Sequence, residues 1–61
     1  MTLREIIATF RPMTLAGVVA DVEELGSGAT ADQLNLARLC EQELENIVGH
    51  DEAQMMLEQM E

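Results

Sequence analysis

Apolar residues recur along the chain at helical spacing in four successive segments. The first stripe contains Leu3, Ile6, Ile7 and Phe10, at positions i, i+3, i+4 and i+7. Thr2 and Glu5 have the spacing of a capping box, in which each side chain satisfies a free backbone N–H group of the first turn. Because Pro12 disfavours helical backbone at the residue before it, this helix is predicted to end near Phe10.

The second helix is predicted to begin at Pro12, since proline suits the first position of a helix. Its apolar residues fall within an arc of about 120° at 100° per residue. These are Leu15, Val18, Val19, Val22 and Leu25. Small residues occupy the back of this helix, which is either a plain exposed face or a place of close helix approach: Ala16, Gly17 and Ala20. Gly26 suits a left-handed cap, and residues 26–29 are typical of a tight loop.

The third helix is predicted to run from Ala31 to about Val48, because Thr30 and Gln33 form a second capping-box pattern. Its apolar positions spread over about 160°, wide enough to contact two neighbouring helices. They are Leu34, Leu36, Ala37, Cys40, Leu44, Ile47 and Val48. We therefore expect this helix to be the central element.

The C-terminal segment leaves two alternatives open. Its stripe consists of Ala53, Met56, Leu57 and Met60. On one straight helix from 31 to 60 this stripe points roughly 170° away from the earlier arc. Either the chain breaks near Gly49 and His50 and aims the stripe at the same core, or the helix is continuous and its tail faces another chain.

These segments predict one all-α domain over residues 1–61, a small antiparallel helical hairpin or bundle of three principal helices plus a C-terminal helical segment. A chain of 61 residues buries only about 60% of its unfolded surface, so its stability is marginal without a further constraint. Cys40 is the only cysteine and His50 the only histidine, which excludes an internal disulfide and nearly excludes a tetrahedral metal cage. Oligomerisation is the remaining source of stability, with an unusually well-packed monomer as the alternative, and we expect a homodimer.

Charge is distributed unevenly around a net value of −9. Residues 1–20 carry two arginines and one glutamate, whereas residues 21–61 carry eleven acids and one arginine. Such a surface repels nucleic acid and anionic membranes and attracts a partner with a basic surface. The longest run free of charged residues, 12–20, is shorter than the roughly 20 residues that span a bilayer. A lone thiol fits a reducing compartment, so we expect a cytoplasmic location.

No combination of residues indicates catalysis or a cofactor site. Cys40 lies inside the apolar arc of the third helix and is expected to be a small buried hydrophobe. A helical carboxylate metal site requires a glutamate three residues before the histidine, and His50 has no glutamate there. We expect His50 to lie at a polar helix boundary. Nucleophilic catalysis needs a nucleophile, a base and an orienting group in a pocket, and a short helical chain with one serine (Ser27, in a glycine loop), one cysteine and one histidine has little room for such a pocket. We therefore expect a protein that is not an enzyme.

Two surfaces are candidates for binding another protein. The first is apolar and is the expected site of self-association: Leu44, Ile47, Val48, Ala53, Met56, Leu57 and Met60. The second is acidic and would imitate the charge of DNA toward a nucleic-acid-binding protein, although solvation of helix faces explains the same residues more simply. Its acids are Glu41, Glu43, Glu45, Asp51, Glu52, Glu58 and Glu61.

In size, acidity, helical composition and absence of a catalytic motif, the whole chain resembles small accessory proteins from the early regions of temperate phages, particularly lambdoid ones. This resemblance rests on overall character and not on a motif. It implies a factor that acts in the host cytoplasm, binds a host protein and alters host physiology during infection.

Overall fold

The fold is all-α, as predicted. A computed structural model describes residues 2–60, which contain no strand, and Glu61 of the predicted acidic surface lies outside the described residues. The helices are α1 (Leu3–Ile7), α2 (Pro12–Leu25), α3 (Ala31–Val48) and α4 (His50–Gln59), with a 3₁₀ turn at Gly26–Gly28.

Both predicted capping boxes are confirmed. At the start of α1, Thr2 Oγ1 accepts a hydrogen bond from the Glu5 N–H at 3.2 Å, and the Thr2 N–H donates to Glu5 Oε2 at 3.3 Å. At the start of α3, the corresponding distances for Thr30 and Gln33 are 3.1 and 2.8 Å. These side chains satisfy N–H groups that have no partner within the helix, so the sequence itself fixes where both helices begin.

The first helix is shorter than its apolar stripe predicts. It ends at Ile7 and not near Phe10. The Thr9 N–H and hydroxyl both donate to the Ile6 carbonyl, at 3.1 and 2.7 Å, and so tighten the chain into a turn. Arg11 is extended (φ −75°, ψ 153°), as the following proline requires, and α2 begins at Pro12.

α2 and α3 form a helical hairpin, α4 packs against both of them, and α1 packs against α3. One buried cluster joins the four helices: Ile7, Leu15, Ala16, Val19, Cys40, Leu44 and Ala53. Placing Ala16 on the back of the second helix was wrong, since it is fully buried in this cluster. A small side chain there lets a neighbouring element approach closely.

The chain breaks at Gly49, so the first of the two C-terminal alternatives is the one observed. Gly49 has φ 91° and ψ 161°, and its N–H still donates to the Glu45 carbonyl at 2.8 Å. The bend turns α4 back onto the domain, where Ala53 is fully buried. The remaining stripe residues pack against the same cluster: Met56, Leu57 and Met60.

The domain is flat, with principal extents of 31 × 29 × 14 Å. Axes of packed helices lie about 8–10 Å apart, so the thinnest dimension has room for two layers of helices and no more. No helix between residues 2 and 60 is both long enough and apolar enough to cross a membrane.

Candidate protein-binding surfaces

Two members of the predicted apolar surface are not at the surface. Leu44 and Ala53 each have 0% of their area exposed, so neither side chain is available to a partner while the chain keeps this arrangement. The bend at Gly49 is the physical reason, because it packs α4 against α2 and α3 and so places Ala53 in the same buried cluster as Leu44.

The other five predicted residues divide into two groups. Val48, Met56, Leu57 and Met60 are half-buried and pack against the core of their own chain. Ile47 alone remains a well-exposed large apolar side chain, at 47%. The predicted patch is therefore mostly interior, and Ile47 is its remaining outward-facing member.

Large apolar side chains are instead exposed on each of the four helices. Besides Ile47 they are Leu3, Ile6, Met13, Leu25, Leu34 and Met55, with exposures from 40 to 66%. The accessible surface of 4295 Å² exceeds the roughly 3,900 Å² expected for a compact monomer of 6.7 kDa. The flat shape explains both observations, because several helix faces have no neighbour to cover them.

An open groove of about 290 Å³ runs between α2 and α3. It is lined by Val19, Val22, Glu23, Gly26, Leu34, Ala37, Arg38 and Glu41. No residue of α1 or α4 takes part, so the groove lies on a side of the hairpin that neither helix covers. Val19 and Val22 are buried at its floor, whereas Leu34 is 51% exposed.

The chemistry of this groove is an apolar centre beside charged groups. Glu23, Arg38 and Glu41 supply two carboxylates and one guanidinium. The arrangement matches a helix-in-groove binding mode, in which apolar side chains of a partner helix enter the groove and its polar groups meet the charges beside it. Sequence reasoning missed the groove, and its only sequence signal was the width of the apolar arc on α3, of which Leu34 is an edge member.

A single ion pair crosses the bend between α3 and α4. His50 Nδ1 lies 2.6 Å from Glu45 Oε2, and the His50 side chain is 69% exposed. The hydrogen bond to Glu45 raises the pKa of His50, with smaller contributions from the charges of Glu45, Asp51 and Glu41, while slight desolvation opposes the shift. This pair links α3 to the first residue of α4, so its chemistry is that of a local contact.

The Cys40 thiol is fully buried among apolar side chains, and this burial raises its pKa. The neutral thiol is therefore the favoured form in the folded chain, and thiolate chemistry is suppressed. Within the part of the chain that the structure describes, no three His, Cys, Asp or Glu side chains come together as a metal would require. No buried side-chain nitrogen or oxygen there lacks a hydrogen-bond partner.

Comparison with known proteins adds no relative. No protein-family model matches the chain, and neither a curated protein nor a solved structure matches it significantly.

Proposed function

We propose that this chain is a non-enzymatic protein-interaction module that binds a helix of another protein in the groove between α2 and α3. The observation that carries the proposal is the groove itself, with Val19 and Val22 at its floor and Leu34 half-exposed at its side. Burying a large apolar side chain contributes about 1.5–3 kcal/mol, so one or two inserted side chains contribute about 1.5–6 kcal/mol toward binding a partner.

The proposed partners are a second copy of the chain and a host protein. The resemblance to phage accessory proteins supports a bacterial host and a cytoplasmic site of action. The net charge of −9 favours a partner with a basic surface and opposes association of two copies. Salt weakens that repulsion, so we expect the homodimer to be tighter at higher ionic strength.

Affinity capture from bacterial lysate tests the groove when the bait is compared with two single variants. Leu34→Gln removes an apolar side chain from the groove, and Met13→Gln removes one that is 66% exposed elsewhere. Neither variant changes the charge. A protein retained by the native chain and by Met13→Gln but lost with Leu34→Gln supports the proposal. Equal retention by both variants would place the binding surface elsewhere.

The alternative proposal is an acidic inhibitor that imitates DNA. Its binding should weaken steeply with salt and disappear when Glu41, Glu45, Glu52 and Glu58 are changed to glutamine. Two of these acids already take part in other contacts of the fold. Glu45 pairs with His50, and Glu41 lines the groove. Capture that persists at high salt and in this variant favours the apolar groove.

A further inference from the structure

The junction between α3 and α4 consists of one residue, Gly49. Its backbone, at φ 91° and ψ 161°, occupies a region that is essentially restricted to glycine. A Cβ atom built at Gly49 meets nothing within 4 Å, so the dihedral angles alone require glycine there. The whole reversal of chain direction thus depends on two torsion angles.

The backbone N–H groups at the start of α4 have fewer hydrogen-bond acceptors than those at the starts of α1 and α3. No side chain caps it, so the N–H groups of its first turn have no partner within the helix and no capping acceptor. On a continuous helix the same N–H groups would bond to the carbonyls of Asn46, Ile47 and Val48. Straightening the junction therefore adds helical hydrogen bonds and removes a helix end.

Straightening also takes α4 away from its own core. On a continuous helix from 31 to 59, the apolar stripe of α4 points roughly 170° from the side of α3 that faces α2. Ala53 could then no longer reach the cluster formed by Leu15 and Leu44 in the same chain. The site left empty fits the α4 of a second copy, because that segment is identical to the one that fills it in the bent form.

We propose that two copies of this chain associate by exchanging α4, with Gly49 as the hinge. The exchanged dimer buries the same core as the monomer and differs from it mainly at the hinge. This proposal rests on the self-association in the proposed function and states that exchange of α4 is how two copies associate. It uses the interior face of α4 and leaves the groove between α2 and α3 free.

The His50–Glu45 pair belongs to the bent form alone. Residues five apart on a continuous helix diverge by about 140°, so the contact is lost when the junction straightens. Folding of α4 onto its own chain also has an effective concentration of order millimolar. We therefore expect the bent monomer in dilute solution. The exchanged dimer is expected at chain concentrations of about 1 mM, or in a variant whose residue 49 favours a straight helix.

Three hinge forms of the full chain test the proposal by sedimentation equilibrium. Gly49→Ala strains the bent form and favours the helix in both chains, so the association constant should rise at least about 100-fold. Insertion of Gly-Ser-Gly after Gly49 relaxes the turn and should shift the chain toward monomer. The native chain should fall between the two.

Isotope-filtered NMR on a mixture of labelled and unlabelled native chains supplies the direct evidence. Contacts between the Ala53 methyl group of one chain and methyl groups of the buried cluster on α2 or α3 of another establish the exchange. A dimer that lacks these contacts and is indifferent to all hinge changes overturns the exchange but leaves self-association and the groove intact. Monomers throughout, at millimolar concentration, overturn both exchange and self-association. If Gly49→Ala fails to fold, the native and insertion forms decide.

Discussion

Leu44→Ala is expected to remove much of the stability of this domain. Leu44 has no exposed area and lies where α2, α3 and α4 meet, so truncation loses burial and leaves a cavity. Such changes cost about 2–5 kcal/mol. At roughly 0.05–0.15 kcal/mol per residue, the whole domain has only about 3–9 kcal/mol to lose. Leu44→Asp should accordingly unfold the chain and not merely weaken a dimer.

Leu34→Ala is the matched control, since it makes the same chemical change in the same helix. Its effect on helix propensity is comparable, but Leu34 is 51% exposed and leaves no enclosed cavity. We expect it to cost about 1 kcal/mol or less. Urea denaturation followed by far-UV circular dichroism measures both values. Equal losses for the two variants would contradict the burial of Leu44 in the folded chain.

Four further outcomes are expected. Because the pKa of His50 is raised in the folded chain, the stability that its pair with Glu45 contributes is fully present below the ordinary His pKa. It is lost as pH rises through the folded pKa, so the difference in urea midpoint between the native chain and His50→Gln should shrink toward alkaline pH; a constant difference contradicts the pair. Cys40 should react with a thiol reagent only at the rate of unfolding, and reaction at the rate of a free thiol would show that it is accessible. A chelator should leave the circular dichroism spectrum unchanged, and loss of helix would reveal a structural metal. Gel-shift assays at low salt should show no submicromolar binding of DNA or RNA, since three arginines face twelve acids; a salt-sensitive shift would refute the charge argument.

Local signals in the sequence predicted the helix starts well. The capping boxes beginning at Thr2 and Thr30, and the proline at the start of α2, depend only on residues within one turn. Gly49 marked the place of a break, but an isolated glycine costs a helix only about 1 kcal/mol. Periodicity alone therefore left the bend and the continuous helix both open.

The apolar surface was harder to predict because periodicity gives the direction of a stripe and not the neighbour that covers it. The sequence gives the directions of the stripes that hold Leu44 and Ala53, but only the bend, which packs α4 against α2 and α3, accounts for the burial of both residues in one chain. Leu34 belongs to the same arc as Leu44 yet stays exposed, because no helix packs beside it. Leu39, outside the predicted arc, packs against the core through a contact that only the tertiary arrangement supplies.

The small size of α1 sets the order in which the domain opens. This helix has five residues, of which only Ile7 is buried, and the hydrogen bond from Arg4 Nη2 to Gln42 Oε1, at 3.3 Å, is exposed. Few buried contacts mean a low free energy of local opening, so α1 is the first cooperative unit to detach in native-state hydrogen exchange. Its amides should exchange fastest of the four helices while the α2–α3 hairpin stays protected. Each such opening briefly presents Ile7 and the apolar site it vacates to the solvent.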